Sequence, residues 1–296
     1  MLISRLYEPP ENDILFHYCS APSFQSILET GKVRFSDINM LNDSAEMHWG
    51  YGVFEEAAGR LIKIAETKEA LKGLNKAFFD KVDEIIAPMQ HRVHPFVFCL
   101  SRERDSLSQW RAYADDGRGF AIGFSAIAIK CMPVSLLAVE YEREKQVQEM
   151  MDALGATFME NEADEQKFGT KFFESSMMIG NYILAFKNPS FRDEKEIRCL
   201  HLVGAEINEK VMKFRDHGGV LGDGKEVAGE DVRFRIQDNA LAAYLDMPFR
   251  RNFESPAIKA VDLGPRNPNW PTNVLYFAGA LGYENLRIRK STSTYR

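Results

Sequence analysis

Two carboxylates and a guanidinium at alternate positions, Glu194, Glu196 and Arg198, stand out in the run NPSFRDEKEIRCLH at 188–201. On a strand this i, i+2 spacing puts all three on one face, with Ile197 and Cys199 on the other. Such a group can anchor a sugar hydroxyl or stabilise a developing positive charge, and Arg198 would keep a neighbouring Glu ionised. The plainer account is a solvated strand face carrying a charge ladder. A second cluster lies in Ser108–Phe124, SQWRAYADDGRGFAIGF. Trp110 and Tyr113 are rings of the kind that stack on a planar ligand, and Gly117 and Gly119 permit positive φ. Here the plainer account is a helix-to-strand connection in which Trp110 is core. His17, in FHYCS, shares one face of a strand with Cys19, while Tyr18 and Ser20 take the other. It reads as a ligand-orienting donor or as a hydrogen-bonded structural residue.

Further candidates are weaker. The run RIRKSTSTYR at 287–296 sets Arg287, Arg289, Lys290 and Arg296 among hydroxyls such as Ser291 and Tyr295, a composition able to hold phosphate oxygens or simply to face water. In LNDSAE, Asp43 or Ser44 would cap a helix with Glu46 as capping-box partner. A metal set from Asp43, Glu46 and His48 lacks the second cluster needed to complete it, so no metal is expected. GxSxG, HExxH, Walker A and GxGxxG signatures are missing, and GDG at 222–224 reads as a turn.

These residues need elements to position them. Strands are predicted at Ile14–Ser20, from Val33, and at Phe96–Leu100, Phe120–Phe124, Leu136–Tyr141, Ile197–Leu202, Arg233–Ile236, Ile258–Leu263 and Asn285–Arg289. A short helix carrying Phe24, Ile27 and Leu28 would start at Ser23 as N-cap and close at Gly31. Helical periodicity fills Val53–Ile86 and returns from Glu142 to Phe186, with a polar break near Asn161–Asp164. Strands scattered between helical blocks, without regular βαβ alternation, predict an α+β fold with a mixed, mostly antiparallel sheet and helical insertions. One domain over 1–296 is expected, with blocks 53–90 and 142–186 able to segregate as a subdomain.

Composition narrows the class. With 296 residues, 45% of them hydrophobic, the chain can bury a large core. A net charge of -6 argues against broad, non-specific nucleic-acid binding. No run reaches the roughly 18 apolar residues needed to cross a bilayer, and the first residues lack a secretory pattern. Cys19, Cys99, Cys131 and Cys199 are widely spaced and read as reduced thiols of a cytoplasmic protein with no membrane partner.

In this order the pieces resemble the bacterial and phage family called domain of unknown function 2971. The matching residues are HYCS at His17–Ser20, SILETGKVRFS at Ser26–Ser36, LND..E at Leu41–Glu46, FCLS at Phe98–Ser101 and SQWRAYADDGRGFAIGF with its Arg111. Lys187 to EKEIR, LGP at Leu263–Pro265 and S..TYR at Ser291–Arg296 complete the set, which runs nearly end to end. The resemblance further implies a remote relation to ADP-ribosyltransferase folds and a role in phage defence or toxin-type activity. Carried over, His17 would hold the adenosine-side ribose of NAD, Ser101 would take the middle-strand position, and Glu194-x-Glu196 would be the acidic motif. The Ser-Thr-Ser triplet of part of that group is not at Ser101 and occurs instead at Ser291–Ser293. The function implied is glycosyl transfer from NAD, catalysed by Glu196, Glu194 and His17. Tyr18, Ser101, Trp110, Arg111, Tyr113, Lys187, Arg198, Ser291, Tyr295 and Arg296 would contact the ligand. The alternative is a nucleotide-sensing or interaction module without turnover, and any protein or nucleic-acid acceptor is left open.

Overall fold

A computed structural model of the chain describes residues 5–38, 46–207, 211–237, 239–249 and 256–295. Leu41–Ala45 and Arg296, which carry a predicted cap and a predicted ligand contact, lie outside the described residues, and so does the side chain of Glu46.

The chain opens with β1 (Ile14–Cys19), α1 (Ala21–Thr30) and β2 (Lys32–Asp37). Ser20, rather than Ser23, caps α1: its hydroxyl accepts the Ser23 N–H, and Pro22 sits in the first turn, where a missing N–H costs nothing. Gly31 ends the helix at φ 64°, a left-handed conformation that suits glycine. Two long helices follow, α2 (Glu46–Glu66) and α3 (Lys76–Arg92), then β3 (Val93–Ser101), α4 (Leu107–Tyr113), β4 (Phe120–Ser125), α5 (Ala126–Lys130) and β5 (Ser135–Ala138). The second helical block is α6 (Arg143–Ala163) and α7 (Thr170–Leu184), split at the expected polar break. The remaining elements are β6 (Glu196–Ile207), β7 (Met212–Arg215), β8 (Gly219–Val220), β9 (Glu226–Val227), β10 (Arg233–Gln237), β11 (Ala240–Pro248), β12 (Ile258–Leu263), α8 (Pro271–Ala280) and β13 (Arg287–Lys290).

All but β8 and β9 join one sheet in which every pairing is antiparallel except β12 with β13. This is the mixed, mostly antiparallel α+β arrangement expected from the scattered strands. The sheet forks at β3. Along one edge β3 pairs with β6 over its whole length, from Val93↔Gly204 to Ser101↔Glu196. On the other side it pairs with β2 at Phe96 and Val97, and with β1 at Ser101. Two wings diverge from that point, β1–β4–β12–β13 and β2–β11–β10. The continuous apolar runs of β3 and β4 suit this central place, where all of β4 and most of β3 are buried.

Apolar residues separate into distinct clusters. The largest, including Leu15, Phe35, Phe98, Ile122, Phe124 and Leu245, packs the sheet against α1, α5 and α8. A second, with Val53, Phe78, Val147, Leu154 and Phe186, belongs to α2, α3, α6 and α7. Beyond the cleft described below, His201 of β6 lies between two acceptors, the Pro133 carbonyl (2.9 Å from Nδ1) and the Asp216 carboxylate (2.8 Å from Nε2). Two acceptors require both ring nitrogens to be protonated, and Asp216 raises the His201 pKa against the opposing effect of burial. Among the described residues no helix is long and apolar enough to cross a membrane.

Candidate functional site

The fork leaves a cleft of about 760 Å³ between its wings, within the range of sites that hold small molecules. Its floor is the stretch Val97–Leu100 of β3, and α1 borders it through Ser23, Ser26, Ile27 and Thr30. One wall carries His17, Tyr18, Tyr113, Lys187, Glu194 and Glu196. The facing wall is the β2–β11–β10 wing, which contributes Lys32, Arg34, Ser36, Asp246, Arg233, Arg235 and Gln237.

His17 is fixed by the fork itself. Where neither β1 nor β2 pairs with Cys99, the imidazole Nδ1 lies 3.1 Å from the freed Cys99 carbonyl, and the ring packs on Phe98. Burial outweighs that hydrogen bond and pushes the His17 pKa down to about 4. The ring is therefore neutral at pH 7. With its proton on Nδ1, Nε2 is an acceptor.

The acidic pair differs from the expected strand face. Glu196 opens β6, but Glu194 ends a short 3₁₀ turn, Pro189–Glu194, and Lys195 between them is left-handed at φ 44°. The kink still brings both carboxylates onto Lys187, whose Nζ is 2.7 Å from Glu194 Oε2 and 3.3 Å from Glu196 Oε2. Tyr113 donates to Glu194 Oε1 at 2.6 Å. Arg198 donates from Nε to Glu196 Oε1 (2.8 Å), from Nη2 to Oε2 (3.2 Å) and from Nη1 to the Leu184 carbonyl (2.8 Å). Nor is the cluster a solvated ladder, because Glu196 is 4% exposed and Arg198 1%. Burial alone would raise the Glu196 pKa, but the charges of Arg198 and Lys187 outweigh it and hold the carboxyl well below the usual range.

Several other predicted contacts lie elsewhere. Trp110 is wholly buried between Phe16, Tyr18, Ala114 and Ala121, and its Nε1 donates to Asp105 at 2.7 Å. It is core, because a ring covered on all sides has no face left for a ligand. Arg198 lies behind Glu196, outside the lining of the cleft. Ser101 is buried too, donating to the Glu194 carbonyl at 2.6 Å and accepting the Glu103 N–H at 3.0 Å, so it braces the kink. Ser291 donates to Asp105 at 2.5 Å, and Thr292 supplies two more donors to the same carboxylate. That donor set, opposing the cost of burial, lowers the Asp105 pKa to about 2. The hydroxyl run thus grips a side chain of its own protein, not the cleft. Tyr295 donates to Asp116 at 2.7 Å, and the guanidiniums of Arg111 and Arg266 each lie 5.6 Å from its ring. Gly117 has the expected positive φ of 81°. Gly119 does not, and is required for another reason, since a Cβ there would meet the Cys19 carbonyl at 2.1 Å.

The basic wall was not singled out in the sequence. Its signal is nonetheless present as alternation in KVRFS and RFRIQ, where every second residue is basic or polar. Among the described residues no three His, Cys, Asp or Glu side chains cluster as metal ligands would.

Neither a curated protein nor a solved structure matches the chain. A family model matches residues 109–199. That span is narrower than the end-to-end resemblance. It includes Gln109, Tyr113, Lys187, Glu194 and Glu196 of the cleft, but neither His17 nor the basic wing. What residues 109–199 are similar to is the family described as Protein of unknown function (DUF2971).

Proposed function

We propose that the cleft binds a nucleotide, NAD in the first instance, and that its acidic wall supports cleavage of the nicotinamide–ribose bond in the manner of an ADP-ribosyltransferase. The reading rests on one observation: His17, Tyr113, Lys187, Glu194 and Glu196 line the same cleft. In that reaction the bond from ribose C1 to the nicotinamide nitrogen breaks, its electron pair leaving with nicotinamide. Water or another acceptor then adds to C1 and gives up a proton. The ribose passes through a cationic state, and an ionised Glu196 would stabilise charge that exists mainly in the transition state. His17 Nε2 would accept a ribose hydroxyl, and Tyr113 offers a ring to the base.

A binding module without turnover is favoured by a different observation. Both carboxylates are already held by cations of the protein, Glu196 by Arg198 and Lys187, Glu194 by Lys187. To act on a ribose, Glu196 would have to share its oxygens with these partners.

Nicotinamide release from NAD, measured by chromatography beside calorimetric NAD binding, separates the two. Glycosyl transfer predicts release by the wild type and its loss in Glu196→Gln, with circular dichroism confirming that the variant is folded. If both proteins bind NAD and release nothing, the transfer reaction is overturned and the binding module stands. If the wild type neither binds nor cleaves NAD, the NAD reading falls altogether.

A further inference from the structure

The basic wing is compensated unevenly. Lys32, Arg34 and Ser36 alternate along β2, and Arg233, Arg235 and Gln237 along β10, and all six line the cleft. Asp246, opposite Arg34 in the ladder, holds that guanidinium bidentately at 2.8 and 3.0 Å, and Arg34 lies 3.9 Å over the Tyr244 ring. Lys32 has Glu230 at 3.4 Å, and Arg233 has Asp231 at 3.9 Å.

Arg235 differs from all three. Among the described residues no carboxylate pairs with it. Its Nη2 donates to the neutral Gln237 Oε1 at 2.6 Å, while its Nε is shielded from water and donates to nothing. Burial and the nearby positive charge of Arg34 push its pKa down, against the opposing charge of Asp246. A buried donor without an acceptor costs about 1–3 kcal/mol, and two guanidiniums within reach of each other add repulsion. An anion seated in the cleft beside both guanidiniums offsets that repulsion.

We infer that Arg34 and Arg235 form an anion subsite for the phosphate or diphosphate of a small-molecule ligand. The planar fork of a guanidinium matches phosphate oxygens in pairs, which a lysine cannot do. The subsite rests on the nucleotide reading of the cleft and deepens it: the ligand is a phosphorylated nucleotide, and a bare nucleoside would leave the arginines unsatisfied. A nucleic-acid polymer fits less well, since the basic residues are confined to the cleft side of the wing. On the other side of β10 the alternating residues are Phe234 and Ile236, both exposed, where a polymer track would need further cations.

Calorimetric titration of the full chain with inorganic pyrophosphate, at fixed ionic strength, tests this. Pyrophosphate should bind the wild type and bind Arg235→Gln roughly tenfold more weakly or worse, the scale of one lost charge-assisted hydrogen bond. Arg235→Lys, which keeps the charge but loses the fork, should recover only part of the affinity. Failure of the wild type to bind pyrophosphate, or equal binding by wild type and Arg235→Gln, overturns the subsite. So does an oligonucleotide that binds through these arginines where pyrophosphate does not. NAD titrations keep the two proposals apart: NAD bound equally by wild type and Arg235→Gln sinks the subsite and spares the cleft, whereas pyrophosphate bound without NAD spares the subsite and sinks the NAD reading.

Discussion

On one wall of the cleft, Lys187, Glu194 and Glu196, with Arg198 behind them, neutralise one another at 2.7–3.3 Å. On the facing wall, Asp246 serves Arg34 and no carboxylate serves Arg235 among the described residues. A buried network with matched charges is complete without a ligand, so its loss registers first in stability. An uneven one is complete only when something else arrives, so its loss registers in binding. The first wall sets two cations against two carboxylates, whereas the second lines the cleft with four cations and Asp246. Counting partners separates them.

The largest effect expected is from Arg198→Met, which leaves the Glu196 carboxylate buried without its main partner. A cost of about 3–5 kcal/mol is expected from chemical denaturation, the range for breaking one side of a buried ion pair. A loss below about 1 kcal/mol would mean that Lys187 alone satisfies Glu196 and that the acidic wall is not a closed network.

A matched pair outside the cleft makes an independent standard. His201→Gln should cost less than Arg198→Met, because Asp216 keeps the backbone N–H groups of Gly218 and Glu230, both at 2.8 Å. It should also change the pH profile. The folded pKa of His201 is raised, so its contribution is fully present below the unfolded value near about 6.5 and is lost as pH rises through the folded value. Denaturation midpoints of the wild type should therefore fall across that window while those of His201→Gln stay flatter. Parallel profiles would remove His201 as the titrating group.

Trp110→Phe keeps a ring in the cluster and loses the Asp105 hydrogen bond, for an expected cost of about 1 kcal/mol with unchanged NAD affinity. A large loss of affinity at unchanged stability would return Trp110 to the ligand. The smallest stability effect belongs to Arg235→Gln, within about 0.5 kcal/mol of the wild type or slightly stabilising, as repulsion from Arg34 is relieved. A loss as large as that of Arg198→Met would mean that the basic wall is structural after all.

Elements that depend on local signals were legible in the chain. The break between α6 and α7, which opens at Asp164, and the turn before Phe120 follow from polarity and from glycine. What was not legible depends on contacts distant in sequence. The fork arises because β1 and β2 meet different heights of β3, and no local pattern in those strands announces it. Glu194 and Glu196 were placed together correctly on a wrong geometry: i, i+2 spacing assumed a continuous strand, whereas Lys195 adopts a left-handed conformation that non-glycine residues rarely take. Trp110 was ambiguous because an amphipathic ring suits a core and a ligand equally until its surroundings are known. The arginines of the basic wing were overlooked because β11, which lies between β2 and β10, was not predicted, and without it their strands have no reason to share a face.

The two attachments to β3 set the gauge of the cleft. β2 is pinned at Val97 and β1 at Ser101, a spacing of about 13 Å along a strand rising roughly 3.3 Å per residue. Those pins are ladder hydrogen bonds of the backbone. Exchanging lining side chains would therefore retune the atoms and the free volume inside the cleft without moving the two wings along β3. The offset of the wings is encoded in strand register, a property that point substitutions hardly reach and that the insertion of a single residue in β3 would reset.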